Sequence, residues 1–432
     1  MKKWKRSIFP LLTALALLFS ACEKNGPTES QSDPEKAADL VSQANQILVS
    51  HIELIANAEG PDTAALNLSS AASLYEQALT YDPENLDAHF GLALSEVLTA
   101  FSDPSLASLL SGSNQIVGPG SVLSLFKQQQ GVAEFFGSLD GGARSRLSGV
   151  LQPGALLKSS QAEFPQADNP PSYYQDIVES KLLPVIADAV GHLATVTGDA
   201  SYAFLITPQM LNGATTETYR IDLTEIYLFE AVLQGIGASF SAAVAYNIDY
   251  DDSSPNAVET AWSVSSPFLT LRTGGAQHMK DTRTYMLGMM SSVRNGINFL
   301  MAEPAHQETD IIRYNPQDQA SLQSVIMVTD SLTAVLSGPC SIQGGPTVNF
   351  VNFYDNAITN YKAKFPNYTV GSQARGTGAY NAVITWEANS FDTWVFPDPT
   401  MNGLFPGMTD AGLKDALGLT AQDWQKTFVI GD

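Results

Sequence analysis

From residue 34 onward the apolar positions recur at steps of three and four, the period of a helix with one buried face. Over residues 34–58 the pattern is carried by Ala38, Leu40, Val41, Ala44, Ile47, Leu48, His51, Ile52, Leu54 and Ile55. A second helix is predicted over 62–81. A third follows Pro83, with Asn85 as its N-cap, and runs to 101. Residues 103–170 are mixed: short apolar helices at 106–110 and 122–136 are separated by Gly118-Pro119-Gly120 and Gly141-Gly142, and the stretch ends in Asp168-Asn169-Pro170-Pro171. A longer helix is expected over 172–196, with a kink at Pro184. Residues 200–219 read as loop or briefly extended chain.

Asp222-Leu223-Thr224-Glu225 reads as a capping box that opens a helix reaching 246. This helix is apolar almost all round. Glu225, Glu230 and Gln234 interrupt it, and the uninterrupted part is short, so a buried central helix is expected rather than a membrane span. Two more helices follow at 277–301 and 317–336. Met286, Met289, Met290, Val293, Ile297 and Leu300 recur at helical spacing, which predicts core filling. Residues 348–354 and 380–386, rich in β-branched and aromatic residues, predict short strands or extended segments. Residues 394–410 combine aromatics with turn formers and predict an irregular cap packed on the helices, or a recognition surface.

Within the early helices the spacing Ala71-x3-Tyr75-x2-Ala78-Leu79-x3-Pro83, followed by His89-x2-Leu92-Ala93, resembles a tetratricopeptide repeat (TPR). The physical logic is that Ala71, Ala78 and Ala93 let helices approach closely, Tyr75 and Leu92 fill the groove between them, and Pro83 ends one helix pair before the next begins. His89 and Glu96 depart from the pattern, standing where the repeat has large apolar or aromatic residues. The resemblance covers about residues 34–101. It implies helical hairpins whose concave surface binds a peptide or a partner protein.

The N-terminus carries a different signal. Lys2, Lys3, Lys5 and Arg6 precede an apolar run over 8–19, too short for a stable span, which predicts a secretion signal over 1–21. Leu18-Phe19-Ser20-Ala21-Cys22 resembles the lipobox of bacterial lipoproteins, which implies that Cys22 is diacylated and becomes the new N-terminus. Two acyl chains make a stable anchor where one is marginal. Glu23 rather than aspartate after the cysteine favours, by the same resemblance, the outer membrane, with the body facing either the periplasm or the outside. Residues 22–34 are polar and rich in helix breakers, and read as a flexible tether.

Composition sharpens this picture. The chain has 432 residues, 44 acidic and 22 basic, for a formal charge of −22, with 44% apolar and 15% charged residues. That is a globular composition, and its acidity argues against nucleic acid as a partner. Removing the basic signal would make the rest more acidic still, so the anchor is lipid rather than charge. If Cys22 is lipidated, Cys340 is the only other cysteine and is expected to be structural, since no histidine neighbours it.

Catalytic motifs are not found: there is no Gly-x-Ser-x-Gly, His-Glu-x-x-His, phosphate-binding loop or Cys-x-x-Cys. The histidines, His51, His89, His192, His278 and His306, are widely spaced and read as packing or surface residues. Asn247-Ile248-Asp249-Tyr250-Asp251-Asp252-Ser253 begins like a calcium loop but lacks glycine at the sixth place and has Thr260 at the twelfth, so it is not an EF-hand. His306-Gln307-Glu308-Thr309-Asp310 offers one imidazole and two carboxylates and reads as a solvated loop. No catalytic, cofactor or metal residue is assigned.

The expectation is therefore a mostly α-helical lipoprotein: signal 1–21, tether 22–34, TPR-like region 35–101, helical body 102–340, and an irregular cap with short strands over 341–432. Its expected role is binding or scaffolding in the cell envelope, with an envelope protein or peptide as partner. An accessory solute-binding component of a transport system, taking a small molecule, is the alternative, and a hydrolase the third reading.

Overall fold

The structure is a computed structural model describing residues 32–57, 67–106, 170–208, 218–302, 310, 312–341, 347–365, 368–376, 378–386, 391–416 and 428–430. Cys22, the signal and most of the tether lie outside the described residues, as do the helices expected at 106–110, beyond Leu106, and at 122–136. The described chain is predominantly helical with small antiparallel sheets.

Helices α1 (Pro34–Asn57), α2 (Ser69–Tyr81) and α3 (Leu86–Ser102) pack side by side at the N-terminal end. Asn85 caps α3 as expected, its side chain accepting the Ala88 N–H at 3.0 Å. Helix α2 starts later than the pattern predicts: Asn67 and Leu68 are not helical, and the Leu68 N–H instead donates to Thr99 Oγ1 at 3.0 Å. A backbone donor at a helix entrance needs a partner, and a threonine of the neighbouring helix supplies it.

The next described helix to pack on these comes from much later in the chain. Helix α4 (Pro171–Ile177) passes through a π turn (Val178–Leu182) into α5 (Leu183–Val196), and α5 packs on α3. The irregularity expected at Pro184 lies one turn earlier. Pro184 has no N–H to give and its ring crowds the preceding turn, so the hydrogen-bond pattern loosens there while Pro184 itself sits in the first turn of α5. Strands β1 (Phe204–Ile206) and β2 (Tyr219–Ile221) form a two-stranded antiparallel pair that leads into α6 (Leu223–Ala245).

Helix α6 is the central helix. Its capping box is as expected: Asp222 Oδ1 accepts the Thr224 N–H at 2.7 Å, and Glu225 Oε2 accepts the Asp222 N–H at 2.9 Å. After the short helix α7 (Pro255–Trp262) the chain enters α8 (Gly275–Ala302), whose contact with α6 is the most extensive between any two elements. Glycines set that approach: a Cβ at Gly237 would meet the Tyr285 ring and one at Gly296 the Tyr227 side chain. By length and composition α6 and the segment Pro316–Ser337 could each cross a membrane. In α6, 61% of the apolar window is buried inside the protein, which fits its role as a core helix. The methionine stripe of α8 is core filling, with Met290 buried and Met286 and Met289 packed on neighbouring clusters. Helix α9 (Gln319–Ser337) lies against α8. One continuous core runs from Ala37 and Leu48 on α1 through Tyr75, Leu98, Ile186 and Leu193 to Ile226 and Leu233 on α6.

The C-terminal segment differs in one place from expectation. Of the predicted extended stretch 348–354 only Val348 is in a strand (β4, Thr347–Val348, paired with β3, Cys340–Ser341), and Phe350–Asp355 is helix α10. Asn349 caps that helix by accepting the Asn352 N–H, which places Phe353 and Tyr354 in the core beside Tyr246, Met279 and Leu336. The predicted strand over 380–386 is β6 (Tyr380–Trp386), central in an antiparallel sheet between β5 (Tyr368–Ala374) and β7 (Phe428–Ile430). Residues 394–410 are irregular yet packed: Trp394 and Phe396 join Leu413 of helix α11 (Asp410–Ala416) in a small cluster. Asp398 ties this loop by accepting from Lys364 Nζ, Thr400 and the Asn402 N–H. Burial opposes the Asp398 charge, but those bonds outweigh it and bring the carboxyl to about 2.

Candidate functional site

The residues singled out by the repeat-like spacing lie on α2, on α3 and in the turn between them. Ala71, Tyr75, Ala78 and Ala93 are fully buried and Leu92 nearly so, all in one core, while Pro83 is exposed in the turn between α2 and α3. Because Ala71, Tyr75 and Ala78 face inward, Ala72, Ser73 and Glu76 lie on the other side of α2. On α3 the matching face carries Glu96, Thr99 and Ala100, and Asp103 at its C-cap continues the same three- and four-residue steps. Together with Ser69, Leu106, Lys181 of the π turn and Val185 of α5, these residues line an open groove of about 410 Å³.

The groove is unevenly charged. Lys181 Nζ donates to Asp103 Oδ2 at 2.7 Å and to Ser105 Oγ at 3.2 Å. These bonds from Lys181 and Ser105 bring the Asp103 carboxyl to about 2, so that pair is fixed. Among the described residues Glu96 has no such partner. Its Oε2 is buried without a hydrogen bond, and burial, with the charges of Asp188 and Glu76 adding to it, raises its carboxyl to about 7. Asp188 stands on α5, four residues before His192.

His192 meets His89 of α3, their Nδ1 atoms 2.8 Å apart. His89 Nε2 lies 2.9 Å from the Pro83 carbonyl, which can only accept, so in the neutral pair His89 donates there and its Nδ1 accepts the hydrogen of His192 Nδ1. Burial lowers the His192 pKa, and His89 lowers it further. The pair thus joins the hairpin to the helical body through one hydrogen bond.

Other chemistry-bearing groups are spent on structure. Asp222, Glu225 and Asp310 are buried carboxylates near Arg220, whose guanidinium lies 3.7 Å from both aspartates. Glu225 Oε1 accepts the Ile312 N–H at 2.7 Å and Oε2 the Asp222 N–H, so this pair clamps the entrance of α6 to the chain leading into α9. Burial and the Asp222 charge raise Glu225 to about 8. Lys362 is buried and donates to the Ala261 and Ser266 carbonyls and to Ser266 Oγ, closing the end of α7; burial lowers it to about 8. In the loop resembling the start of a calcium site, Asp249 accepts the Ser172 N–H and Asp252 pairs with Arg375, so its carboxylates are engaged in different directions. His278 contacts Glu179 at 3.0 Å. Residues 306–309 lie outside the described residues, and among those described no group of three His, Cys, Asp or Glu side chains is placed to hold a metal ion.

The sequence marks Glu96 and His89 as departures from a repeat, and His89 and His192 also as packing or surface histidines. Glu76, Asp188 and Lys181 gave no signal, because their neighbours lie on other helices. A polar residue on the inward side of an amphipathic helix is the one trace that could have marked Glu96. Compared with protein families, characterised proteins and solved structures, the chain matches none.

Proposed function

We propose that the chain is a lipid-anchored binding module of the bacterial cell envelope, held to the outer membrane through Cys22, and that the groove between α2, α3 and the start of α5 receives a segment of a partner protein. The observation that supports this reading most is the position of the groove. It is formed by the hairpin whose packing residues resemble a TPR, and its walls carry charge and hydroxyls that no helix among the described residues covers. A catalytic reading has less support, since among the buried carboxylates elsewhere Glu225 is used by two backbone N–H groups, Glu230 by the Gln234 amide and Asp310 by Arg220.

The test separates groove from fold. Ser73 is exposed on the groove wall, and Ser324 is exposed on α9. In the full chain, Ser73→Trp is expected to abolish capture of the envelope partner while melting normally, and Ser324→Trp to leave capture intact. Equal capture by both variants would overturn the reading.

A further inference from the structure

Where the hairpin meets the helical body, two helices each present an imidazole to the other. His89 lies near the start of α3 and His192 near the end of α5, with their Nδ1 atoms 2.8 Å apart and their rings tilted by 43°. The Pro83 carbonyl holds the far side of His89: it lies 2.9 Å from Nε2 and accepts its hydrogen, which leaves a lone pair on Nδ1. Metal-binding histidines are held in the same way, one ring N–H given to a carbonyl or carboxylate so that the other nitrogen stays bare and aimed. In its other tautomer His192 carries its hydrogen on Nε2, and the two Nδ1 lone pairs then face one gap from separate helices. The other described histidines are set differently: His51 Nδ1 turns back to the Ile47 carbonyl of its own helix, and His278 meets a carboxylate.

We propose that His89 and His192 form a two-histidine site for a late first-row divalent cation, zinc or copper, which clasps α3 to α5 while water completes its coordination. Zinc–nitrogen bonds of about 2.0–2.1 Å in tetrahedral geometry hold two ligand nitrogens about 3.3 Å apart, so the rings need to open by only about half an ångström. Both rings are half-buried, which gives them that freedom and lets water reach the remaining positions. Asp188, exposed one turn before His192 on α5, adds negative charge that acts on the His192 ring. Imidazole nitrogen suits zinc and copper, whereas magnesium and calcium take oxygen ligands.

Titration calorimetry on the full chain in detergent micelles, stripped of metal beforehand, tests this with zinc chloride and magnesium chloride. Zinc is expected to bind saturably at one equivalent, and magnesium not to bind. His89→Gln and His192→Gln are each expected to weaken zinc at least tenfold with an unchanged circular dichroism spectrum, and His278→Gln to leave zinc binding as it was. Zinc should also raise the melting temperature of the parent and not that of His192→Gln, a difference that a purely structural imidazole contact would not produce.

Copper reads the site without any variant, which keeps the test decisive if a histidine substitution does not fold. The electron paramagnetic resonance spectrum of the parent with one equivalent of copper is expected to show coupling to two imidazole nitrogens, and coupling to one or to none overturns the assignment. So do the absence of zinc binding, equal binding of magnesium, and zinc binding unchanged in folded His89→Gln and His192→Gln chains. A loss in His278→Gln as large as that in His192→Gln would place the cation elsewhere and overturn it too.

Discussion

The ring of Tyr75 occupies the space in which any side chain at Gly91 would begin: a Cβ built there falls inside the phenol. Tyr75 is fully buried, and its hydroxyl donates to Asn45 Oδ1 at 2.6 Å, so this one residue joins α1, α2 and α3. Gly91→Ala therefore forces either the ring or the helix to move. Overpacking of this kind costs about 1–3 kcal/mol, which urea unfolding should register as a lower midpoint. Tyr75→Ala, which leaves a cavity, is expected to cost about 3–5 kcal/mol. A Gly91→Ala chain as stable as the parent would show that the helices are not this close.

Glu96 makes stability depend on pH in an unusual direction. Its folded carboxyl at about 7 lies above the ordinary value of 4.5, so between those values the folded chain holds a proton that the unfolded chain has lost. Its contribution is thus fully present below about 4.5 and is lost as pH rises through 7. Glu96→Gln carries no such dependence. The variant should melt higher than the parent at pH 8, with the difference shrinking toward pH 5; a constant difference across this range would contradict the account.

The His89–His192 contact works in the opposite sense. Burial lowers the folded pKa of His192 beneath its ordinary 6.5. The folded chain therefore binds its proton less readily than the unfolded chain, and this group's effect on stability worsens as pH falls below 6.5. Because Glu96 acts over an overlapping range, the comparison must be made against a variant. His192→Gln should show a smaller loss of stability than the parent between pH 6.5 and pH 5, measured by denaturant unfolding, and an identical slope would discount the pair.

Cys22→Ser tests the anchor. The parent is expected to partition with membranes and to carry the mass of two acyl chains, and the variant to lose both. A parent chain of unmodified mass would remove the lipoprotein reading without touching the fold.

How much could be read beforehand depended on whether the cause was local. Asn85 capping α3, the Asp222–Glu225 box and the helical periods of α1 and α8 are set by neighbours within a turn, and each stands where the chain predicted it. The reading failed at 348–354, where aromatic content suggested strand. The cap from Asn349 and the burial of Phe353 and Tyr354 against distant helices decided for α10. His89 and His192 are 103 residues apart, and only the packing of α3 on α5 unites them. The groove is legible only in part, since α2 and α3 supply their faces by local period while Lys181 and Val185 arrive from beyond residue 170.

The claim that this groove is the working surface is tested most directly by photo-crosslinking the full chain in its native membrane, with a crosslinking amino acid at Ser73 and, as control, at Ser324. The account predicts one defined adduct from Ser73 and none from Ser324. Adducts of equal yield from both positions would contradict it.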